Sequence, residues 1–250
     1  MKKSLKKILA AVFCLGMIGT MSTTVDAAAK IPADATLNST STIQVEKLKL
    51  GKEWDKVFAK SESVNVKKIK FKNRFGIEIV GDLYVPKNIE NKKIPAIAVS
   101  GPFGAVKEQV SGLYAQTLAE RGFITLAFDP SFTGESGGDV RDVASPDINT
   151  EDFSAAVDYL TTLPEVDQDK IGIIGICGFG GFGLNAAAQD TRIKATVTST
   201  MYDMTRVSAH GYNDIMTAED LYKMREELNN QRTKDAENGN FAKSAPDRKS

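Results

Sequence analysis

The sequence predicts an α/β fold, in which helices cover both faces of a mostly parallel β-sheet. Short apolar segments alternate along the chain with segments whose apolar residues recur at helical spacing. Continuous apolar strands are typical of parallel sheets, because both of their faces are buried. The composition agrees, since 42% of the 250 residues are hydrophobic and 26% are charged, which is ordinary for one large globular domain.

The beginning of the chain predicts export rather than a folded element. Several lysines precede an apolar run over residues 8–19, and the small residues that follow suit cleavage after Ala27. These are the parts of a secretory signal peptide, and the run is shorter than the about 20 residues that span a bilayer. We therefore expect a signal peptide over residues 1–27, a periplasmic or extracellular location, and no membrane contact after cleavage; an uncleaved anchor is the alternative. Residues 28–47, rich in Ala, Ser and Thr, are expected to form a flexible tether.

The first elements after the tether predict a β-hairpin and one strand–helix unit. Residues 64–71 and 77–85 alternate between apolar and polar, and a turn at Asn73–Gly76 separates them. A short apolar strand over residues 94–99 is followed by apolar residues at helical spacing between positions 110 and 118. The hairpin is therefore expected at the N-terminal side of the sheet.

Three further strands complete the expected core, which we place at residues 48–205. In chain order we expect a strand over 123–128, a helix around 153–160 with Asn149 or Thr150 as its N-cap, a strand over 170–176, a helix to about Ala188 and a strand over 193–198.

Residues 206–250 have a different pattern. Thr217 and Asp220 can form a capping box at the start of a highly charged helix with a narrow apolar stripe. From residue 237 onwards the chain is polar and has no periodicity. We interpret residues 206–250 as a helical, cap-like segment with a polar tail; a solvated surface helix is the alternative.

The charge composition alone does not identify a partner. Lys and Arg total 32 and Asp and Glu total 32, so we expect no basic surface for nucleic acid. The single His forbids a multi-histidine metal site, and the acidic residues are scattered, so we expect neither a metal nor a cofactor. The oligomeric state is not predicted.

Cys177 is the candidate nucleophile. It follows Gly175 after a buried strand and directly precedes Gly178 at the start of a helix, where small neighbours allow a tight bend. The positive N-terminal end of that helix favours the reactive thiolate. The N–H of Gly178, with that of Phe103 or Gly104 in the loop after an earlier strand, can bind an oxyanion. A buried structural thiol is the alternative for Cys177.

Five segments together resemble a bacterial α/β-hydrolase family, the dienelactone-hydrolase-like group that is related to the acyl-peptidase hydrolases. They are residues 104–109, 127–131, 134–138, 175–181 and 200–204. The resemblance extends over about residues 48–238. It implies an α/β-hydrolase fold, a nucleophile at Cys177, and hydrolysis of an ester, lactone or similar acyl bond in a small-molecule substrate.

The resemblance also raises the question of the other catalytic groups. In dienelactone hydrolases a glutamate can partner the thiol, which makes Glu108 a candidate; an exposed helix carboxylate is the alternative. Phe179 stands where the usual nucleophile turn has a small residue. The fold supplies nucleophile, acid and His in that chain order, so acid and His are expected on strands beyond residue 250 of a longer hydrolase. His210 is the only candidate base in this chain, and a surface or packing role is its alternative.

Two other classes of function remain open. Gly178, Gly180 and Gly183 satisfy the dinucleotide-binding spacing G-x-G-x-x-G, with Asp203 about 20 residues beyond. That motif normally opens the first strand–helix unit of its fold, whereas here it follows at least two such units. The other alternative is a non-catalytic α/β-hydrolase-like protein, which the missing His loop favours. Acylation of Cys177 by an ester distinguishes a hydrolase from both.

Overall fold

The chain folds around a six-stranded β-sheet. The computed structural model describes residues 54–89 and 92–242. The expected signal peptide (residues 1–27) and tether (residues 28–47) lie outside the described residues. Within the described ranges, no helix combines the length and apolarity that crossing a membrane requires.

The sheet has the strand order β1-β2-β4-β3-β5-β6. The strands are β1 (Val64–Lys72), β2 (Glu78–Pro86), β3 (Ile94–Ser100), β4 (Ile124–Phe128), β5 (Val166–Ile176) and β6 (Ile193–Ser199). β2 pairs antiparallel with both β1 and β4, and every other neighbouring pair is parallel. The predicted N-terminal hairpin and mostly parallel sheet are confirmed.

Helices cover both faces of this sheet. They are α1 (Val110–Ala119), α2 (Pro146–Thr161), α3 (Gly178–Gln189), α4 (Met204–His210) and α5 (Ala218–Asn238), with a 3₁₀ turn at Tyr212–Asp214. One apolar cluster joins the sheet to α2 and α3 through Phe153 and Phe182. A second cluster joins the opposite face to α1 through Ala115 and Ala119. Burial of both faces explains why the central strands are continuously apolar.

The hairpin turn is fixed by the side chain of Asn73, which is buried. Its Oδ1 accepts hydrogen bonds from the N–H groups of Phe75 and Ile77, each at 3.0 Å. Its Nδ2 donates to Asp152 of α2 at 2.8 Å. One asparagine therefore shapes the turn and ties the hairpin to a helix.

Helix α2 begins earlier than the sequence indicates, so the predicted N-cap at Asn149 or Thr150 is wrong. Ser145 is the N-cap and Pro146 is the first helical residue, where its missing N–H costs nothing. Asn149 Oδ1 instead accepts a hydrogen bond from the N–H of Ser145 at 3.0 Å. The Ser-Pro start, four residues upstream, is the signal that apolar periodicity does not detect.

The predicted capping box of α5 is confirmed. Thr217 Oγ1 accepts from the N–H of Asp220 at 3.1 Å, and Asp220 Oδ2 accepts from the N–H of Thr217 at 3.0 Å. The helix ends at Asn238, two residues into the segment that the sequence predicts to lack structure. Gly239, which follows, adopts the left-handed conformation that commonly ends a helix. No residue of α5 is buried, as expected for a solvated surface helix. Helix α4, which the sequence does not predict, precedes it.

Candidate active site

Cys177 lies at the sharp turn between β5 and α3. Its φ of 56° and ψ of −125° are unusual for a residue with a side chain. Three backbone hydrogen bonds hold this conformation: its N–H donates to Ser199 at 2.9 Å, and its carbonyl accepts from Gly180 at 2.9 Å and Tyr202 at 3.0 Å. The thiol is half-buried. Cys177 therefore lies on a strained strand-to-helix turn.

Glycines are required around this turn because other backbone and side-chain atoms approach closely. A β-carbon on Gly175 would lie 2.3 Å from the carbonyl oxygen of Phe179. A β-carbon on Gly178 would lie 2.7 Å from Cγ of Met204. The sequence indicates that small neighbours are needed here, but the approach of Met204 from the later helix α4 has no local signal.

Phe179 fits two positions after Cys177 because its ring enters the core rather than the turn. Its side chain is almost fully buried, with 2% exposed. The ring centroid lies 5.3 Å from that of Phe182, 6.4 Å from that of Phe153 and 6.4 Å from that of Phe103. An aromatic residue at position 179 is therefore compatible with the backbone of the Cys177 turn.

The loop between β3 and α1 lies directly against the Cys177 turn. Phe103 approaches Gly178, since a β-carbon on Gly178 would lie 3.5 Å from Cβ of Phe103. Gly178 is the first residue of α3, so its N–H has no carbonyl acceptor within that helix. In the described part of the chain, the N–H of Phe103 has no acceptor either. The two candidate oxyanion donors thus lie on adjacent backbone segments next to Cys177.

Glu108 is held in a group of ion pairs. Its carboxylate lies 2.5 Å from the ammonium of Lys107 and 3.8 Å from that of Lys68, and its side chain is only 14% exposed. Among the described residues, no hydrogen bond or ion pair links Glu108 to Cys177. Its environment therefore matches neither a thiol partner nor an exposed helix carboxylate.

His210 is exposed at the end of α4. Its carbonyl oxygen accepts a hydrogen bond from the N–H of Met216 at 3.1 Å. Within the described ranges its imidazole has no hydrogen bond, to Cys177 or to any other group. The structure therefore gives His210 a surface position beside the turn at Gly211.

An ionic cluster that the sequence does not indicate lies beneath the β3–α1 loop. We define it by Lys68, Lys107, Glu108, Asp129 and Glu135. The side chain of Lys107 is 0% exposed, and its ammonium contacts Asp129 at 2.9 Å and both glutamates at 2.5 Å. Burial alone lowers the pKa of Lys107, but the three carboxylates outweigh burial and raise this pKa above its usual value.

The ionic cluster also explains why three carboxylates can lie together. Ligand oxygens of Glu108, Asp129 and Glu135 are within 4.8 Å of one another, a spacing that a metal ion can bridge. The Lys107 ammonium contacts all three, and Lys68 pairs with both glutamates, so the two cations offset most of the negative charge. A single lysine in a loop is normally expected at the surface. The sequence therefore does not reveal that Lys107 is buried among three carboxylates.

The glycines that match the dinucleotide spacing have packing partners instead. A β-carbon on Gly183 would contact the ring of Phe153 at 3.4 Å. Asp203 is the N-cap of α4, and its Oδ1 accepts from the N–H of Arg206 at 2.9 Å and the hydroxyl of Thr205 at 2.7 Å. Close packing and helix capping therefore account for this pattern.

A mostly apolar pocket of about 450 Å³ opens next to the Cys177 turn. It lies between α3 and α4, and Gly178 is one of its lining residues. Phe182, Met201 and Met204 supply apolar surface, and Asn185 supplies an amide.

Comparison with known proteins places these features in a family. Residues 76–249 match the family described as X-Pro dipeptidyl-peptidase (S15 family). The protein PA2218 of Pseudomonas aeruginosa is 60% identical over 215 residues, which are 86% of this chain and 58% of that protein. Its crystal structure gives a TM-score of 0.79 at 62% identity, covering 80% of this chain and 63% of the other. The chain thus spans less than two thirds of this relative.

More distant proteins identify the fold. The thiohydrolase AneE of Aspergillus aculeatus is 30% identical over 138 residues, which are 55% of this chain and 42% of that protein. The crystal structure of the α/β hydrolase GrgF from a Penicillium species gives a TM-score of 0.62 at 22% identity, covering 73% of this chain and 58% of the other. The sheet order, the Cys177 turn and the S15 match agree: the chain has the α/β-hydrolase fold and belongs to the X-Pro dipeptidyl-peptidase (S15) family.

Proposed function

We propose that this chain forms a covalent acyl-enzyme through Cys177 and acts as a dienelactone-hydrolase-like hydrolase on an ester, lactone or similar acyl bond. The observation that carries the proposal is the strained conformation of Cys177, with φ of 56°, at the start of α3 beside the β3–α1 loop. Membership of a hydrolase family supports the reaction class. A relative named as a thiohydrolase supports acyl chemistry of this kind.

The proposed step is attack of the Cys177 thiolate on the acyl carbon. A carbon–sulfur bond forms while the carbonyl π electrons move to oxygen, and the N–H groups of Gly178 and Phe103 stabilise that oxyanion. Its collapse breaks the bond to the leaving group, which departs as an alkoxide and takes a proton from water. One well-placed donor contributes roughly 3 kcal/mol of transition-state stabilisation, so both segments matter for the rate.

Release of the acyl group requires a second step, hydrolysis of the thioester, for which a general base is needed. Neither Glu108 nor His210 has a hydrogen bond to Cys177 in the part of the chain that the structure describes. Among the described residues, water attack on the thioester then has no general base, a group that typically contributes about 10²–10⁴-fold to the rate. We therefore expect this chain to acylate faster than it deacylates.

The pocket between α3 and α4 supports a small, largely apolar acyl group. The pocket has a volume of about 450 Å³, which suits a small acyl group. Gly178 lines it, so its apolar surface is next to the proposed reaction centre. Asn185 Nδ2 donates one N–H to Thr150 Oγ1 at 3.2 Å, and its second N–H can donate to a polar substituent of that group.

The proposal is tested by following p-nitrophenolate release when the full chain is mixed with p-nitrophenyl acetate. We expect a burst of about one equivalent followed by slow turnover, and no burst from Cys177→Ala. Substituting His210→Ala or Glu108→Gln should leave the burst unchanged. A folded chain without a burst would instead support a non-catalytic α/β-hydrolase-like protein. Loss of steady turnover in His210→Ala alone would identify His210 as the base.

We also propose that residues 1–27 direct export and are removed after Ala27. The support is the sequence of that segment, with basic, apolar and small residues in order. N-terminal sequencing of the protein recovered from a secreting bacterial host should begin at Ala28. A protein that keeps Met1 and stays in the cytoplasm would contradict this proposal.

A further inference from the structure

Within the β3–α1 loop, Lys107 is bound to the residue that follows β4 through both its main chain and its side chain. The backbone N–H of Lys107 donates to Asp129 Oδ1 at 2.7 Å. The ammonium of the same residue donates to Asp129 Oδ2 at 2.9 Å. One carboxylate therefore binds both the main chain and the side-chain end of Lys107. Both residues are almost fully buried.

Asp129 is itself fixed to the sheet. It directly follows β4, and its N–H donates to the carbonyl of Val80 in β2 at 3.0 Å. Its Oδ2 also accepts from the N–H of Glu135 at 2.9 Å. Asp129 is therefore held by β2 at its main chain and by the loop after β4 at its carboxylate, which makes it a rigid attachment point for a neighbouring loop.

The other end of the loop reaches the Cys177 turn. Lys107 is four residues after Phe103, whose Cβ lies 3.5 Å from the position of a β-carbon on Gly178 and whose ring stacks on Phe179. The N–H of Ala105 donates to the carbonyl of Pro102 at 3.1 Å, so the backbone turns at Phe103 and Gly104, close to Lys107. We therefore expect a displacement of Lys107 to shift the N–H of Phe103.

We propose that Asp129 and Lys107 are positioning residues that hold the β3–α1 loop so that the Phe103 N–H faces the oxyanion formed at Cys177. This inference rests on the proposed function. Displacing a reacting group by about 1 Å can cost about 10²-fold in rate, so a loosened attachment should slow acylation without blocking access to the thiol.

Two reagents separate positioning from simple structural support. Acylation by p-nitrophenyl acetate passes through an oxyanion and needs the loop, whereas alkylation by iodoacetamide displaces iodide from a saturated carbon and needs only an accessible thiolate. In Lys107→Met and in Asp129→Asn we expect the acylation rate of Cys177 to fall at least about 10-fold, and the alkylation rate to stay within about twofold. A structural role alone would change both rates together.

Lys68→Met is the matched control. Lys68 belongs to the same ionic cluster and pairs with Glu135 at 2.7 Å, but in the described part of the chain it makes no contact with Asp129. Its loss removes the same charge from the same cluster, so we expect the ratio of acylation to alkylation to remain at its original value. A fall equal to that of Lys107→Met would overturn the assignment to the Asp129–Lys107 contact.

The double variant Lys107→Met/Asp129→Asn guards against a variant that does not fold. It removes a buried cation and a buried anion together, so the net charge of the ionic cluster is unchanged, and Lys68 still pairs with both glutamates. Because both residues act through one contact, its acylation rate should be no lower than that of the slower single variant. Hydrogen exchange of the unsubstituted chain adds a readout without mutation: the Lys107 amide should be strongly protected, and rapid exchange would overturn the proposal.

The outcomes also separate this inference from the proposed function. If the unsubstituted chain is alkylated but never acylated, both the proposed function and the positioning role are contradicted. If the unsubstituted chain is acylated and Lys107→Met is acylated equally fast, only the positioning role fails.

Discussion

The main chain of Gly101 packs against the main chain of Ile176 so tightly that a β-carbon on Gly101 would lie 2.4 Å from the Ile176 carbonyl oxygen. Gly101 directly follows β3 and begins the loop that carries Phe103, and Ile176 directly precedes Cys177. The contact therefore joins the two segments that form the candidate site. It also makes a side chain at position 101 incompatible with the observed backbone.

Gly101→Ala should be markedly more destabilising than Gly122→Ala. Both glycines have left-handed φ values, 98° and 96°, so alanine carries the same backbone cost at each, about 1–2 kcal/mol. A β-carbon at Gly122 would have no neighbour within 4 Å, whereas at Gly101 it would collide with backbone. We expect Gly101→Ala to lose at least about 3 kcal/mol of unfolding free energy in urea titrations. Equal losses in the two variants would contradict the close contact.

Phe179→Ala should cost about 3–5 kcal/mol, because it removes a buried ring that contacts three other phenylalanine rings. Phe75 is the control, since it lies in the hairpin turn with 54% of its surface exposed. Phe75→Ala should change the unfolding free energy by no more than about 0.5 kcal/mol. Thermal or urea unfolding of the two variants checks this, and a mild effect at Phe179 would show that its ring is not part of the core.

Asp55 should make the stability depend on pH in the acidic range. Burial raises the pKa of Asp55, but the ammonium groups of Lys56 and Lys68 outweigh burial and lower this pKa to about 2. Because the folded-state pKa is below the unfolded value of 3.8, the stabilisation is complete well above pH 3.8 and is lost as pH falls toward 2. The carboxylate is partly exposed, so solvent screening limits the effect to about 1 kcal/mol.

Comparison with Asp55→Asn isolates this contribution from those of the other carboxylates. The difference in unfolding free energy between the two proteins should be largest at about pH 6 and roughly halved at about pH 3. A difference that grows as pH falls would mean that Asp55 is not stabilised as an anion in the folded state.

The sequence was sufficient to locate the sheet because its signal is local. Each central strand is a short apolar run, and the predicted strands agree with β1 to β6 to within a few residues. The start of α2 was missed because Ser145 and Pro146 lie outside the apolar periodicity. Helix α4 was missed because it has only seven residues and none of them is fully buried, so its apolar pattern is too short to detect.

The candidate site was predictable only where chemistry and local conformation coincide. The sharp turn at Cys177 is recognisable because a strand-to-helix turn of this kind needs glycines at fixed positions next to it. The contact of Met204 with Gly178 and the pairing of Lys107 with Asp129 depend on segments that are distant in sequence. Long-range contacts of this kind leave no periodic pattern, so only the folded structure reveals them.

The most direct test of the account is to locate the acyl group after the full chain reacts with p-nitrophenyl acetate. Intact-mass measurement followed by peptide mapping, with Cys177→Ala as the control, reports both the number and the position of adducts. We predict one acetyl group on the peptide that contains Cys177, and none on the same peptide of the control. A folded chain whose Cys177 remains a free thiol, or whose acetyl groups are the same in the control, would contradict the central claim.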